Sequence, residues 1–597
     1  MNWAPRILIF ANDNSSIYNF RHELLQRLVS SGHEVTVALP PHERNRAFED
    51  LGCSVLETRL SRFGTNPFAE LLTAAGFMRI IRAVRPDVVL TFTMKPNIYG
   101  GIAARIRRVP YISAVTGIGA VFQSDGVMRR IITALLKPAL RHSSAVYFEN
   151  ADNRAHFERL GIVRGNTRVV PGSGVNLALH GLEPYPDDAG PFRLVIVSRV
   201  RKDKGYDELL AAIRQVCAAR NDVEFHIVGW YEDDSYQETI REMERNYPLV
   251  VHGSVPPERV HELLAQSHAL LHASHHEGMA NVLLEASATG IPSLASDIPG
   301  CREAIDDGVT GLLFPVRNTD ALTATIERFL ALPWEERRAM GLAGRRKMES
   351  EFDRERVVDR YMDGISEAIA ARRKRYDTVK RGADIAASAL AVVLTLPVQA
   401  VIAVLVRSRL GAPVLFHQER PGMDGRPFVM HKFRTMTDER DAEGMPLPDR
   451  ERLTPLGEFL RRTSLDELPQ FANVLRGEMS LVGPRPLLAR YNPYFTKEER
   501  ARFGVRPGIT GWAQVNGRNT SSWDERLAAD VWYVENRSLR LDIAIIGMTL
   551  AKVIRGSDLI VDSQGGEPDL DETRSMERLY DGHTSRGESS GEGMNAT

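Results

Sequence analysis

Through the first 370 positions, apolar and polar residues alternate in two textures. Short unbroken apolar runs at 6–10, 35–39 and 87–91 read as strands buried on both faces, and residues 19–31 carry the periodicity of an amphipathic helix. Such alternation predicts a parallel sheet with crossover helices. Residues 184–191 (Pro-Tyr-Pro-Asp-Asp-Ala-Gly-Pro) interrupt it as a linker. The pattern then restarts, with a strand at 194–198, a helix at 206–220 and strands at 224–228, 269–273, 292–295 and 311–314. Two doubly wound α/β domains in tandem are expected, at 1–185 and 190–370, with a helical run from about 354 to 373 leading out of them.

Residues 382–406 break this texture. They are almost wholly apolar, with Asp384 the one charge and Pro397 inside. The length suits a membrane helix, for which about 20 apolar residues suffice. However, Arg372, Arg373, Lys374, Arg375, Lys380 and Arg381 precede the stretch, and Arg407 and Arg409 follow it. A crossing helix usually has its positive residues on one side, and proline breaks helices. Beyond 406, Pro, Gly, Arg and aromatics are frequent, and the helices at 456–462 and 522–536 are short. Residues 563–597 are rich in Gly, Ser, Asp and Glu and are expected to be disordered.

A chain of 597 residues exceeds one core. Its net charge of -1 gives no general pull toward nucleic acid. Cys53, Cys217 and Cys301 lie far apart without metal-ligand spacing and fit a reducing compartment. The run at 6–10 is too short for a secretory signal, so a cytoplasmic protein with one membrane contact is expected.

Two clusters carry chemistry in the second α/β domain. Ser198-Arg199-Val200-Arg201-Lys202-Asp203-Lys204-Gly205 follows its first strand, where an open α/β sheet binds ligands. Arg199 and Lys204 could neutralise a diphosphate there; a solvated basic loop is the alternative. In Glu277-Gly278-Met279-Ala280-Asn281-Val282-Leu283-Leu284-Glu285, the helix start at 278–282 would offer N–H groups to a phosphate. Glu285 could hold a ribose diol and Glu277 could face a sugar, although two acids at this spacing are often only surface charge.

Taken together, these residues resemble the retaining glycosyltransferases of family 4, over about residues 5–370. The resemblance extends to Ala288-Thr289-Gly290-Ile291-Pro292 and Gly308-Val309-Thr310-Gly311-Leu312. It implies the GT-B fold, two Rossmann-like domains with the nucleotide mainly on the second and no metal required. By position, Arg199 and Lys204 would bind the donor diphosphate and Glu285 the ribose. Glu277 would contact the transferred sugar in the catalytic position, with Asn281 a further substrate contact. Phe92-Thr93-Met94-Lys95-Pro96-Asn97 and Thr116-Gly117-Ile118-Gly119 resemble the subgroup acting on polyprenyl-diphosphate-linked sugars, which makes Lys95 and Gly117 acceptor-side candidates. The glycine pair that many relatives carry after the first strand is replaced by Asn12-Asp13-Asn14-Ser15-Ser16.

The C-terminal half holds Arg461-Arg462-Thr463-Ser464-Leu465-Asp466-Glu467-Leu468-Pro469-Gln470. Helical neighbours point about 100° apart, so one acid could attack phosphorus while the other contacts a proton or a second substrate. Adjacent acids are common on surfaces, but here Lys432-Phe433-Arg434, Gly483-Pro484-Arg485-Pro486 and Arg506-Pro507-Gly508 surround them with arginines in Pro/Gly loops. Together with Phe416-His417-Gln418-Glu419-Arg420-Pro421-Gly422, Ser480-Leu481-Val482 and Gln514-Val515-Asn516-Gly517-Arg518, these strings resemble bacterial sugar transferases, the monotopic phosphoglycosyl transferases, over about residues 376–560.

That resemblance implies that Asp466 is a nucleophile forming a covalent sugar-phosphoryl aspartate, and that Glu467 is its metal or proton-transfer partner. Mg2+ would bind the acid pair and the donor diphosphate. Lys432, Arg434, Arg461, Arg485, Arg506 and Gln514 are the substrate-binding candidates. Relatives often have Ser-Pro at the break of the membrane helix; here it is Leu396-Pro397, and Thr395 is the candidate to bond the freed carbonyl.

Both halves would need nucleotide-sugars from the cytoplasm, so residues 376–410 are expected to form a re-entrant membrane helical hairpin kinked near Pro397. A small α/β catalytic domain at 411–562 and the tail at 563–597 would follow. The expected enzyme is bifunctional and acts at the cytoplasmic face of the bacterial inner membrane. It would transfer a phospho-sugar from a UDP-sugar to polyprenyl phosphate, then extend the polyprenyl-diphosphate-sugar. Alternatives are a GT-B module acting on a later intermediate, one half serving as a scaffold, or a membrane-anchored interaction protein. The sugars and the oligomeric state, a homodimer included, are left open.

Overall fold

The computed structural model describes residues 4–58, 60, 67–117, 122, 126–516, 522–555 and 569–575. They fall into two compact units, Ala4–Arg372 and Arg373–Thr597.

The first unit holds two parallel sheets. Strands β1 (Arg6–Phe10), β2 (Glu34–Leu39), β3 (Ser54–Glu57), β4 (Val88–Phe92), β5 (Tyr111–Val115), β6 (Ala145–Phe148) and β7 (Thr167–Val169) lie in the order β3-β2-β1-β4-β5-β6-β7. Strands β8 (Phe192–Val197), β9 (Val223–Val228), β10 (Leu249–Gly253), β11 (Ala269–His272), β12 (Ser293–Ser296) and β13 (Gly311–Phe314) lie in the order β10-β9-β8-β11-β12-β13. The central strands β4 and β5 are buried at every position, because crossover helices cover both faces of the sheet. This is the tandem Rossmann-like arrangement expected.

Two local readings need correction. The first helix is Asn14–Ser30 and begins before its apolar periodicity, because the Ser16 hydroxyl bonds Asp13 (2.6 Å) and organises a polar first turn. The linker at 184–191 is laced to the second sheet's domain. The Tyr185 hydroxyl donates to the His268 carbonyl (2.9 Å), Trp334 Nε1 donates to the Pro186 carbonyl (2.7 Å), and Arg337 pairs with Asp188.

One helix, Arg354–Leu410, leaves the first unit and enters the second. It runs through Pro397 without a break in its assignment, where a kinked hairpin was expected. Asp384 does not face lipid. It is buried, accepting from Ser480 Oγ (2.8 Å) and the Leu481 amide (3.3 Å), with Lys380 at 3.7 Å. Nearby, the Tyr376 hydroxyl donates to Asp542 (2.7 Å) and Arg381 donates to the Val474 carbonyl (2.6 Å). Farther along, Ile402 and Val406 pack with Phe433 and Leu460. Between these two anchors Leu390, Val393, Leu394, Leu396 and Val401 are exposed. The Thr395 hydroxyl donates to the Ala391 carbonyl (2.7 Å), not to that of Val393, which Pro397 frees.

The second unit is built around a hairpin of β14 (Leu415–Pro421) and β15 (Pro427–Phe433) and a parallel pair of β16 (Ser480–Val482) and β17 (Gly508–Thr510). Part of the tail expected to be disordered is ordered. Residues 570–575 are helical, Leu570 is fully buried among Tyr491, Phe495 and Leu527, and Arg574 pairs with Glu499 and Asp524 (both 2.7 Å). Residues 563–568 and 576–597 lie outside the described residues. Leu570→Ala should destabilise this unit by about 2–5 kcal/mol, the usual cost of emptying a buried leucine site. Thermal unfolding of the full chain in detergent would show it as a lowered transition.

Candidate active sites

The first site forms where the two sheets of the first unit meet. After β8 the chain turns at Gly205 (φ +76), where an added Cβ would lie 2.1 Å from the Ala273 carbonyl. Only glycine lets this turn lie against the end of β11, and that approach brings Lys204 to Glu277. Lys204 Nζ lies 2.5 Å from Glu277 Oε1, and His272 Nε2 lies 3.2 Å from the same oxygen. Burial alone would raise the Glu277 pKa, but Lys204 and His272 outweigh it and hold the carboxyl at about 2.

Arg199 is not brought to this pair. Its guanidinium lies 2.6 Å from Glu232, which Arg201 shares at 3.1 Å. Glu285 sits on the Asn281–Thr289 helix. Burial raises its pKa against the opposing charge of Arg354, itself paired with Glu23 (2.9 Å). Asn281 accepts from Ser173 Oγ (2.9 Å), and no side chain caps the first turn of its helix.

The first sheet's domain closes on the same place. A Cβ at Gly278 would lie 2.1 Å from the Thr116 carbonyl, and Asn150 Nδ2 donates to the Gly278 carbonyl (2.5 Å). Gly117 faces open space and borders a small pocket with Thr93, Met94, Asn97 and Phe157. Thr93 holds φ +74, a strained conformation for a β-branched residue, and its hydroxyl donates to Asn12 (2.7 Å). Lys95 Nζ lies 2.5 Å from Glu70. Ile118 and Gly119 lie outside the described residues.

Sequence reading missed Glu149, which has no motif around it. Burial raises its pKa to about 7, with Arg21 (3.5 Å) opposing and Glu277 adding. A carboxyl raised in the fold binds protons that the unfolded chain has released, so stability falls as pH rises from about 4.5 to about 7. Glu149→Gln should remove that slope. The variant should gain roughly 2–3 kcal/mol over the parent between pH 5 and pH 8, read from thermal unfolding at both.

The second site lies in the second unit. The Pro455–Arg462 helix ends, Ser464 turns in the left-handed region (φ +55), and a single 3-10 turn, Leu465–Glu467, presents the acid pair. Asp466 is buried. Burial, then the neighbouring Glu467, raises its pKa to about 6 against Lys432 and Arg461. Burial would raise Glu467 too, but Lys432 (2.6 Å) and Arg485 (3.8 Å) outweigh it and hold that carboxyl down. One fold thus drives two adjacent acids apart in proton affinity, the arrangement that separates catalytic roles.

The other candidates divide. Arg461 donates to Thr435 Oγ1 (3.2 Å) and acts on Asp466. Arg434 is spent on structure: it donates to the Leu410 and Ala412 carbonyls (both 3.2 Å) and to Met436 (3.1 Å), and pairs with Asp438. Arg506 donates to the Gly477 carbonyl (2.8 Å) and Gln514 to the Ile509 carbonyl (3.4 Å). Both serve loops and show no contact with the acid pair. Two arginines were missed. Arg420 donates to the Pro486 carbonyl (3.3 Å), and the buried Arg502, paired with Asp530 (2.8 Å), donates to the Arg485 carbonyl (2.6 Å). They hold the loop that carries Arg485. Arg420 stood in a quoted motif and could have been found; Arg502 could not.

A tandem Rossmann-like module and an acid-pair site among arginines define a glycosyltransferase joined to a sugar-phosphate transferase. Residues 19–172 match the model for glycosyl transferase 4-like domains, 183–347 that for glycosyl transferases group 1, and 375–556 that for bacterial sugar transferases. The uncharacterized sugar transferase EpsL of Bacillus subtilis (strain 168) is 55% identical over 150 residues, 25% of this chain and 74% of that protein. The UDP-glucose:undecaprenyl-phosphate glucose-1-phosphate transferase of Escherichia coli (strain K12) is 41% identical over 184 residues, 29% of this chain and 40% of that protein.

In the solved structures, Anabaena HepE in complex with UDP and glucose matches with TM-score 0.51 at 19% identity, covering 61% of this chain and all of that one. Sucrose-phosphate synthase from Thermosynechococcus elongatus matches with TM-score 0.52 at 19% identity, covering 62% and 100%. Both show the fold of the first unit. The chain belongs to the bacterial sugar transferases, with a GT-B glycosyltransferase module fused ahead of that domain.

Proposed function

We propose that the second unit transfers a sugar 1-phosphate from a UDP-sugar to polyprenyl phosphate, and that the first unit adds a second sugar from a nucleotide-sugar to that product. The observation that carries this is the divided acid pair, one carboxyl buried and raised, the other held down by Lys432 and Arg485. In the first step an Asp466 carboxylate oxygen attacks the sugar-bearing phosphorus, and the bond to the leaving UMP breaks. In the second step an oxygen of polyprenyl phosphate attacks the same phosphorus and frees Asp466. Glu467, fixed by Lys432, orients the attack, and Arg485 and Arg461 hold charge on the diphosphate.

Among the described residues no three His, Cys, Asp or Glu gather as metal ligands. Two carboxylates plus substrate phosphate oxygens are nevertheless enough for Mg2+, and Asp466 with Glu467 fits that need. Bound there, it would neutralise the diphosphate.

The membrane segment is read as re-entrant. Asp384 and Ser388 before the stretch and Ile402 and Val406 after it are buried against the same unit, while Leu390, Val393, Leu394, Leu396 and Val401 between them, and Ile385, Val404 and Leu405 beside them, are exposed. Both units would then work at the cytoplasmic face.

The test uses the full chain in phosphatidylglycerol vesicles containing undecaprenyl phosphate. UDP-sugars are supplied singly and then in pairs, with lipid products read by mass. The expected result is one donor adding a sugar phosphate with release of UMP, and a second donor adding a sugar with release of UDP. UDP as the sole nucleotide product of the first transfer would overturn the reading.

A further inference from the structure

We infer that Asn150, on the first sheet's domain, is a positioning residue for Glu277 on the second sheet's domain. The inference rests on the sugar transfer proposed above for the first unit. Strand β6 ends at Phe148, and Asn150 leads with extended backbone (φ -149, ψ 161) into the helix Ala151–Arg159. Its Oδ1 accepts from the Asn153 amide (2.7 Å) and so caps that helix. Aspartate or serine would cap as well, but aspartate has no donor and serine too short a reach for a second partner. Asparagine keeps its NH2 group, and here that group donates to the Gly278 carbonyl (2.5 Å) in the other domain. The side chain is fully buried, so the bond is made out of reach of water.

Gly278 follows Glu277 directly, so Asn150 grips the main chain one residue from the proposed sugar contact. The fit around that main chain is close. A Cβ at Gly278 would lie 2.1 Å from the Thr116 carbonyl and 3.0 Å from Glu149 Oε2, and a Cβ at Gly300 would lie 2.8 Å from the Glu277 Cβ. Glycine at both positions lets the Glu277 backbone lie between the loops of the first sheet and the Pro299–Arg302 turn. A second tie crosses at the same place. The Ala151 amide, first in its helix, donates to Glu303 Oε1 (3.3 Å), a carboxylate set at a helix N-terminus.

At its far end the Glu277 carboxylate meets Lys204 (2.5 Å) and His272 (3.2 Å), both from the second sheet's domain. One domain thus holds the carboxylate, and the other holds the main chain that carries it. A side chain held only at its tip can pivot, whereas one held also at its root keeps a single position. Transfer needs that precision, because a displacement of about 1 Å at a reacting group can cost about 100-fold in rate.

The experiment compares the full chain with Asn150→Ser and Asn150→Asp, which both keep a capping oxygen and lose the amide donor to Gly278. With the donor and lipid acceptor that the parent uses, kcat for sugar addition should fall about 10- to 100-fold, while UDP affinity and the unfolding temperature stay at the parental level. Parental kcat in both variants overturns the inference. So does a joint loss of kcat, UDP affinity and stability, which a merely structural asparagine would give. Spin labels at Ile106→Cys and Val309→Cys, one exposed site on each domain, read the same grip without any acceptor, in a Cys217→Ser background. With UDP bound, the parent should give one narrow distance and Asn150→Ser a broader one. If the parent adds no sugar to lipid, the sugar-transfer reading falls. The spin-label distance then judges Asn150 by itself: broadening sustains its grip on Gly278, and an unchanged distance overturns it.

Discussion

Asp466→Asn should abolish UMP release and lipid-diphosphate-sugar formation, by about four orders of magnitude or more, as loss of a covalent nucleophile does. The substitution is nearly isosteric and removes a charge from a buried site, so the unit should fold as well as the parent. Glu467 holds Lys432 at 2.6 Å through its own carboxylate, a pair that does not use the side chain at 466. In the same preparation, extension of a supplied lipid-diphosphate-sugar should persist, because the proposed function gives that chemistry to Lys204 and Glu277 in the other unit. A mass-based product assay with each substrate given separately decides it. Retained UMP release would remove Asp466 as nucleophile.

Lys204→Met should do the converse. Glu277 would be left with His272 Nε2 as its remaining close partner, and breaking a buried pair costs about 3–5 kcal/mol. Sugar addition should fall about 100- to 1,000-fold, the scale of losing one aligned charge at a reacting group, while UMP release continues. Adding Glu277→Gln to Lys204→Met removes the stranded carboxylate, so the double variant should recover most of the thermal stability and none of the transfer. Parental stability and parental transfer in the single variant would show that the pair is ornamental.

Much of this was legible in the sequence where a pattern extends over many residues. The runs at 6–10 and 311–314 are β1 and β13 to the residue, because a strand buried on both faces leaves an unbroken apolar signature. The strands β3, β5, β6, β7 and β10 escaped: β3 and β7 are four and three residues long with polar positions at the sheet's edges, whereas β5 and β6 are buried throughout and their short apolar runs were passed over. Motifs located Lys204, Glu277, Asp466 and Glu467 but could not assign charge partners. Arg434 looked like a phosphate ligand and instead holds backbone carbonyls, and Arg199 is engaged by Glu232 from the loop after the next strand. Such pairings join residues distant in sequence, and a single chain carries no local mark of them. The partners of Asp384, Ser480 and Leu481, likewise lie nearly a hundred positions away.

The apolar stretch is tied at both ends to the unit that bears Asp466, by Asp384 on Ser480 and by the Leu410 carbonyl on Arg434. Between those ties it behaves as a strut cut to length. One residue inserted between 389 and 401 would rotate one end by about 100° and displace it by about 1.5 Å. Either Asp384 would then leave Ser480, or Ile402 and Val406 would leave Phe433 and Leu460. The segment is thus permissive in spelling and strict in phase: one apolar residue can replace another, but the number of residues decides whether both of its ends can meet the unit that bears the acid pair.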